Sequence, residues 1–338
     1  MAVAASSELE ARALAGEPQA QFDYGLLLLG ERSASEGLRG VALIDSACEQ
    51  GHAEAAAMSA LFEAMGAARP QSWPRALDKL TEAAEAGSAK AQGQLLALNE
   101  RGNPDGGYGS TGGDWRALRN SLSIERLLKP PARRILHDTP RVASFSGFAS
   151  GAECEWVMSS ARDRLHPAKL FHTATGGQTY FEAVRDNSAV EFLLPQMDLV
   201  FEVLRARISA ATRLPVPLFE PTQVLHYAVG EQFKPHHDFL DPEAPGFAEQ
   251  LRLYGQRVAT VLVYLNDEYS GGDTVFPKLG ISFRGSAGDA LFWTNVDRTG
   301  RADPLTMHAG TPPTTGEKWI VSQWIRDRAP ASVETSGG

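Results

Sequence analysis

The sequence predicts an α+β multidomain protein: an N-terminal α-helical repeat, then a jelly roll with supporting helices. Three observations carry this reading. Gly16, Gly51 and Gly87 stand in similar contexts, 35 and 36 residues apart. A Gly-rich stretch interrupts the chain after Arg101. From Thr222 onward, short β-branched and aromatic stretches alternate with Gly, Pro and Asp turns, the pattern of a sandwich or barrel. The domains expected are residues 1–100 (helical repeat), 101–135 (Gly-rich linker and short helix), 136–328 (jelly roll) and 329–338 (flexible tail).

The first hundred residues repeat a local pattern. Ala15-Gly16-Glu17-Pro18-Gln19-Ala20 returns as Gln50-Gly51-His52-Ala53-Glu54-Ala55 and as Ala86-Gly87-Ser88-Ala89-Lys90-Ala91. A period of this size marks stacked helical hairpins. Each Gly falls where a helix ends, because only Gly enters the left-handed C-terminal conformation without strain. Leu38–Gln50 and Trp73–Ala86 carry apolar residues at three- and four-residue spacing, as helices that bury one face do. The pattern resembles Sel-type repeats, short relatives of the tetratricopeptide repeat, over about residues 10–98. That resemblance implies a contact surface for a protein partner; the alternative is a buttress for the second domain.

Composition excludes several classes. The 338 residues carry a net charge of -9, with no block of Lys or Arg, which argues against a nucleic-acid partner. The two cysteines, Cys48 and Cys154, lie far apart without a CxxC pair, so reduced thiols in a cytoplasmic setting are expected. Residues 1–14 lack a basic segment and include Glu8 and Glu10, unlike a secretory signal. Leu26–Leu29 is far too short to span a membrane, so no membrane partner is expected.

Arg101 to Asp114 holds too little apolar surface to order itself and reads as a hinge. Trp115–Leu128 reads as one short amphipathic helix, stopped by Pro130-Pro131. Ser150-Gly151-Ala152-Glu153 is a capping box opening a helix to about Leu165. A second helix is expected over about Val190–Thr212, with Pro195 in its first turns or breaking it. Strands are expected at Gln223–Val229, Phe233–Phe239, Val258–Leu265, Thr274–Phe276, Ala290–Trp293 and Lys318–Ile325. Leu240–Tyr254, acidic and containing Pro and Gly, is a candidate lid.

Within Phe233–Phe239, strand alternation turns His236 and Asp238 to one face and His237 to the other. An imidazole and a carboxylate then converge, two-thirds of the 2-His-1-carboxylate set that leaves positions open on non-heme Fe(II). Alternation also places Lys318 with Ile320, Ser322 and Trp324. A lysine on such a face either reaches water at the rim or holds an anion.

His236-x-Asp238, Gly271-Gly272-Asp273-Thr274-Val275-Phe276-Pro277, His308, and Lys318 ten residues later resemble the prolyl 4-hydroxylase-type Fe(II)/2-oxoglutarate-dependent dioxygenases. The resemblance spans about residues 138–328 and includes Tyr227, Tyr264 and Trp319. It implies a double-stranded β-helix with Fe(II) on His236, Asp238 and His308. It also implies 2-oxoglutarate chelating the metal, its distal carboxylate on Lys318, with Tyr227 and Tyr264 around it. Three protein ligands leave two positions for 2-oxoglutarate and one for O2. L-ascorbate would keep the iron reduced. Arg185, in Arg-Asp-Asn-Ser where the family has Arg-Thr-Ser, and Trp293 are substrate-contact candidates; Met307 departs from the residue type expected before the distal histidine.

The function expected is hydroxylation of an unactivated C–H bond, in a prolyl residue of a peptide or protein, with release of succinate and CO2. One alternative is hydroxylation of a free amino acid or other small molecule. An alternative of another class is a helical-repeat adaptor with a catalytically silent oxygenase domain, and a zinc-loaded cupin-like protein is a third.

Overall fold

Helix-terminating glycines organise the N-terminal part of the computed structural model, which describes residues 2–31, 33–102, 113–168, 170–171, 179–180, 185–244 and 247–329. The core of the Gly-rich linker, 103–112, and the tail from 330 lie outside the described residues, as do 245–246 within the candidate lid. The described residues divide into two compact units: those within Met1–Lys129 and Phe192–Arg207, and those within Pro130–Glu191 and Ile208–Ala331.

The first unit contains α1 (Ala2–Leu14), α2 (Pro18–Leu29), α3 (Ala34–Glu49), α4 (Ala53–Met65), α5 (Trp73–Glu85), α6 (Ala89–Gly102), α7 (Trp115–Ser121) and α8 (Ile124–Leu128). The repeat glycines join α1 to α2, α3 to α4 and α5 to α6, at φ of +92°, +85° and +93°. The residue after each glycine is the cap that precedes the next helix. His52 accepts from Ala55 N–H through Nδ1, Ser88 accepts from Ala91 N–H, and Glu17 leads into Pro18 at the first helical position. Between α2 and α3 the backbones touch: a Cβ on Gly40 would lie 2.8 Å from the Gly25 carbonyl oxygen. In α4, Glu63 is buried and pairs with Arg69 and Arg75.

Two expectations fail here. The single helix over Trp115–Leu128 is two, because Ser123 is extended and caps α8 by accepting from Arg126 N–H. The helix expected from Val190 starts only at Leu199, as α10 (Leu199–Thr212). Pro195 lies in a 3-10 turn, Leu194–Gln196, and Asp198 then caps α10 by accepting from Val200 and Phe201 N–H. The first part of α10 groups with the helical unit rather than with the jelly roll. Phe192 and Phe201 rings pack at 4.2 Å, Gln94 accepts from Leu199 N–H, and buried Arg207 donates twice to the Leu127 carbonyl.

The second unit adds α9 (Gly151–Arg162) and α11 (Phe247–Tyr254), with α9 opened by the expected Ser150/Glu153 capping box. Its strands are β1 (Arg133–His137), β2 (Val142–Phe145), β3 (His166–Pro167), β4 (Leu170–Phe171), β5 (Thr179–Tyr180), β6 (Ser188–Phe192), β7 (Thr222–Tyr227), β8 (Phe233–His236), β9 (Arg257–Tyr264), β10 (Ser270–Gly271), β11 (Thr274–Phe276), β12 (Ile281–Phe283), β13 (Ala290–Thr294), β14 (His308–Gly310), β15 (Pro313–Thr315) and β16 (Lys318–Arg326). The segment Ser188–Phe192 is a strand because Val190 and Phe192 turn inward and Glu191 outward, a period of two. An eight-stranded sheet runs β1-β2-β13-β9-β16-β7-β6-β3, and a four-stranded one runs β12-β11-β14-β8. Both contribute to one core: Tyr227, Leu262, Trp293 and Ile320 from the larger sheet meet Phe233 and Phe276 from the smaller. This is the jelly roll the strand pattern predicts. The candidate lid carries α11 in its second half.

Candidate metal and co-substrate site

Pairing of β8 with β14 sets His308 directly opposite His236, and Asp238 follows two residues beyond the end of β8. The ligand atoms of His236, Asp238 and His308 lie within 4.8 Å of one another. Asp238 Oδ1 is 3.6 Å from His236 Nε2, and Oδ2 is 3.6 Å from His308 Nε2. Both histidines turn Nδ1 to a backbone carbonyl, at Lys234 (2.7 Å) and Thr306 (3.0 Å). A carbonyl only accepts, so Nδ1 carries a proton, and Nε2 is the atom each ring turns toward the shared point.

The electrostatics agree with a cation site. Burial works to raise the Asp238 carboxyl, yet His308, His236 and the Thr260 hydrogen bond hold it below the usual carboxylate range. Burial, helped by His236, lowers His308 to about 4, so its imidazole is neutral near pH 7. Two imidazoles and one ionised carboxylate suit a divalent metal with open positions. His236 stacks on Phe233, and Trp293 meets the His308 ring edge-on at 4.7 Å. Trp293 is fully buried and lines the same cavity, so it braces a ligand. His237 points elsewhere, toward the Pro304 carbonyl.

Lys318 lies on the wall of this cavity with Tyr227, as their pairing across β16 and β7 requires. It is 1% exposed and therefore not a rim lysine. Its Nζ donates to the Gly272 carbonyl at 2.6 Å and sits 5.4 Å from the rings of Tyr227 and Tyr264. Burial lowers it to about 7, with Asp273 opposing. A buried ammonium held by one carbonyl and two ring faces calls for an anion, and a carboxylate fits. Tyr227 is also buried, its hydroxyl pushed up to about 12, so it stays a neutral donor. Tyr264 reaches the site indirectly, through its hydroxyl bond to Thr274 Oγ1 at 2.8 Å. Arg185 is buried: it donates to Asn187 Oδ1 at 2.7 Å and covers the Phe233 ring at 4.9 Å.

Two residues of the site escape sequence reasoning. Thr260 donates to Asp238 Oδ2 at 2.7 Å, and Asn295 donates to Thr260 Oγ1 at 3.0 Å. Thr260 is the one polar side chain in Val-Ala-Thr-Val-Leu-Val, a signal that could have marked it.

The part of the chain that carries this site is similar in sequence to known oxygenases. Residues 222–326 match the family described as the 2OG-Fe(II) oxygenase superfamily. Prolyl 4-hydroxylase subunit alpha-1 of Rattus norvegicus is 36% identical over 202 residues, covering 60% of this chain and 37% of that protein. The chain thus spans little more than a third of the length of that relative. "Probable prolyl 4-hydroxylase 6" of Arabidopsis thaliana is 33% identical over 210 residues, covering 56% of this chain and 70% of that protein. Among solved structures, the viral collagen prolyl hydroxylase of Paramecium Bursaria Chlorella virus-1 in its 2OG complex aligns with 27% identity and a TM-score of 0.41, over 54% of this chain and 94% of that one.

Proposed function

The chain belongs to the prolyl 4-hydroxylase family of the 2OG-Fe(II) oxygenase superfamily, and on that premise we propose that it hydroxylates prolyl residues of a peptide or protein. Bound Fe(II) and 2-oxoglutarate would supply the oxidising power, with O2 consumed and succinate and CO2 released. The protein's part is to hold and orient. His236, Asp238 and His308 would hold the metal through Nε2 of each histidine and the ionised carboxylate. Lys318 would pair with the distal carboxylate of 2-oxoglutarate, Tyr227 would hydrogen-bond the same ligand, and Tyr264 would fix Thr274 beside it. Buried Arg185 is the substrate-side candidate, a fixed donor for a peptide carbonyl. The helical unit offers stacked hairpins as a surface for a protein partner, within the same proposal.

The observation that carries this reading is Lys318, buried beside the His-Asp-His cluster without a carboxylate of the chain on its Nζ among the described contacts. Its test is anaerobic addition of Fe(II), then 2-oxoglutarate, to metal-free protein, followed by visible absorption. A charge-transfer band is expected in the wild type, none with Asp238→Ala, and a far higher 2-oxoglutarate requirement with Lys318→Ala. Prolyl peptides are then scored by mass for one added oxygen and by succinate release. No band from folded wild type refutes the oxygenase reading; a band and succinate without peptide hydroxylation refute the prolyl substrate.

A further inference from the structure

Asp238 is the one metal-ligand candidate of three with two equivalent donor atoms. As a one-oxygen ligand it leaves an open position that a two-oxygen chelate would fill. What fixes its rotation is therefore a functional question. The carboxylate is an acceptor only, so Thr260 Oγ1, 2.7 Å from Oδ2, must give it the hydroxyl proton. A hydroxyl has one proton, so whatever else meets Thr260 must donate. Asn295 does, from Nδ2 at 3.0 Å, and this settles the amide's orientation: turned over, its oxygen would compete with Asp238 for that proton. All three side chains are buried, with Asn295 at 0% exposure. Asn295 Oδ1 has no hydrogen-bond partner among the described residues. A buried amide that leaves its own oxygen unmatched while directing its donor at Thr260 is hard to explain by packing.

We infer that Thr260 and Asn295 are positioning residues that hold Asp238 as a one-oxygen metal ligand, keeping the neighbouring coordination position open for reactants. The inference rests on the proposed metal site. Asn295 orients the Thr260 hydroxyl, and Thr260 occupies Oδ2 and stops the carboxylate from swinging both oxygens onto the ion. Partners of this kind, one bond removed from the metal, are worth about 10- to 100-fold in metal affinity.

The test is titration of metal-free protein with Co(II), followed by its visible d–d absorption, which reports coordination number without turnover. Thr260→Val, which keeps shape and removes the donor, is expected to weaken Co(II) binding about 10-fold or more and to change the d–d spectrum. Thr260→Ser is expected to restore both. Asn295→Ala, which frees the hydroxyl to rotate, should shift both in the same direction by less. Wild-type affinity and spectrum in Thr260→Val would overturn the inference, as would a Thr260→Ser protein as impaired as Thr260→Val. If Thr260→Val does not fold, Asn295→Ala decides, and a wild-type spectrum there refutes the relay. Failure of wild type itself to bind Co(II) would instead overturn the metal site, and this inference with it.

Discussion

Replacing Lys318 with Met should make the ligand-free protein more stable while removing its grip on 2-oxoglutarate. Burial carries Lys318 from the ordinary 10.5 to about 7, and that gap corresponds to about 5 kcal/mol of cost for the charged form at low pH. Methionine fills similar space without charge. It forfeits the bond to Gly272, worth about 1 to 2 kcal/mol, so a net gain of about 3 kcal/mol is expected at pH 6. For a domain of this size that is roughly 6–12 °C in Tm. The sign with pH follows from linkage. Between about 7 and 10.5 the unfolded chain binds a proton that the folded chain has released, so wild-type stability rises with pH in that window. The advantage of Lys318→Met should accordingly shrink by about 2 to 3 kcal/mol from pH 7 to pH 9. Scanning calorimetry of both proteins with chelator, at pH 6 and pH 9, measures this, and the variant-minus-wild-type difference cancels other titrating groups. Saturating 2-oxoglutarate with Fe(II) should raise the wild-type Tm and leave the variant unmoved. Equal Tm values at pH 6, or an advantage that grows with pH, would refute a buried charged lysine.

Tyr264→Phe should keep the fold but leave Thr274 Oγ1 without its tyrosine partner, weakening 2-oxoglutarate about 5- to 10-fold, read from the charge-transfer titration; unchanged affinity would remove Tyr264 from the site. Gly316→Ala should cost about 2 to 3 kcal/mol in a urea melt, because φ is +70° and the new Cβ would meet the Glu268 carbonyl just before Lys318. Glu63→Ala should destabilise the helical unit by about 2 kcal/mol by stripping Arg69 and Arg75 of their buried partner, less than a fully buried pair because Arg75 reaches water. Thermal melts of that variant with an unchanged charge-transfer band would separate the helical unit's stability from the site.

Residues close together in the sequence, in a strand or just past its end, were legible. Period-two alternation aligned His236 with Asp238, excluded His237, and put Lys318 on an inward face. His308, seventy residues further on, came only through resemblance, since no local period joins it to His236; the β8–β14 register does. Thr260 and Asn295 likewise reach Asp238 only through the fold; of the two, only Thr260 carries a local signal, as the one polar residue of an apolar strand. The segment after Arg185 was misread because Ser-Ala-Val-Glu-Phe-Leu-Leu suits either period, and only pairing beside β7 decides for a strand. The glycine repeat was legible because its signal, a left-handed residue and a cap, is written in adjacent positions.

The grouping of Phe192–Arg207 with the N-terminal helices bears on how this protein can be cut. A fragment beginning at Pro130 looks like a natural catalytic core, and the glycine-rich stretch before it invites such a design. That fragment would carry Leu199, Val200, Phe201, Val203 and Leu204, buried in the intact chain, without the helices of their own unit. Arg207 would lose the Leu127 carbonyl that receives two of its hydrogen bonds. Amputation would therefore leave a sticky, half-dressed helix running straight into the oxygenase fold through α10. Anyone dissecting the two halves should graft a polar replacement onto that helix, or keep the chain whole.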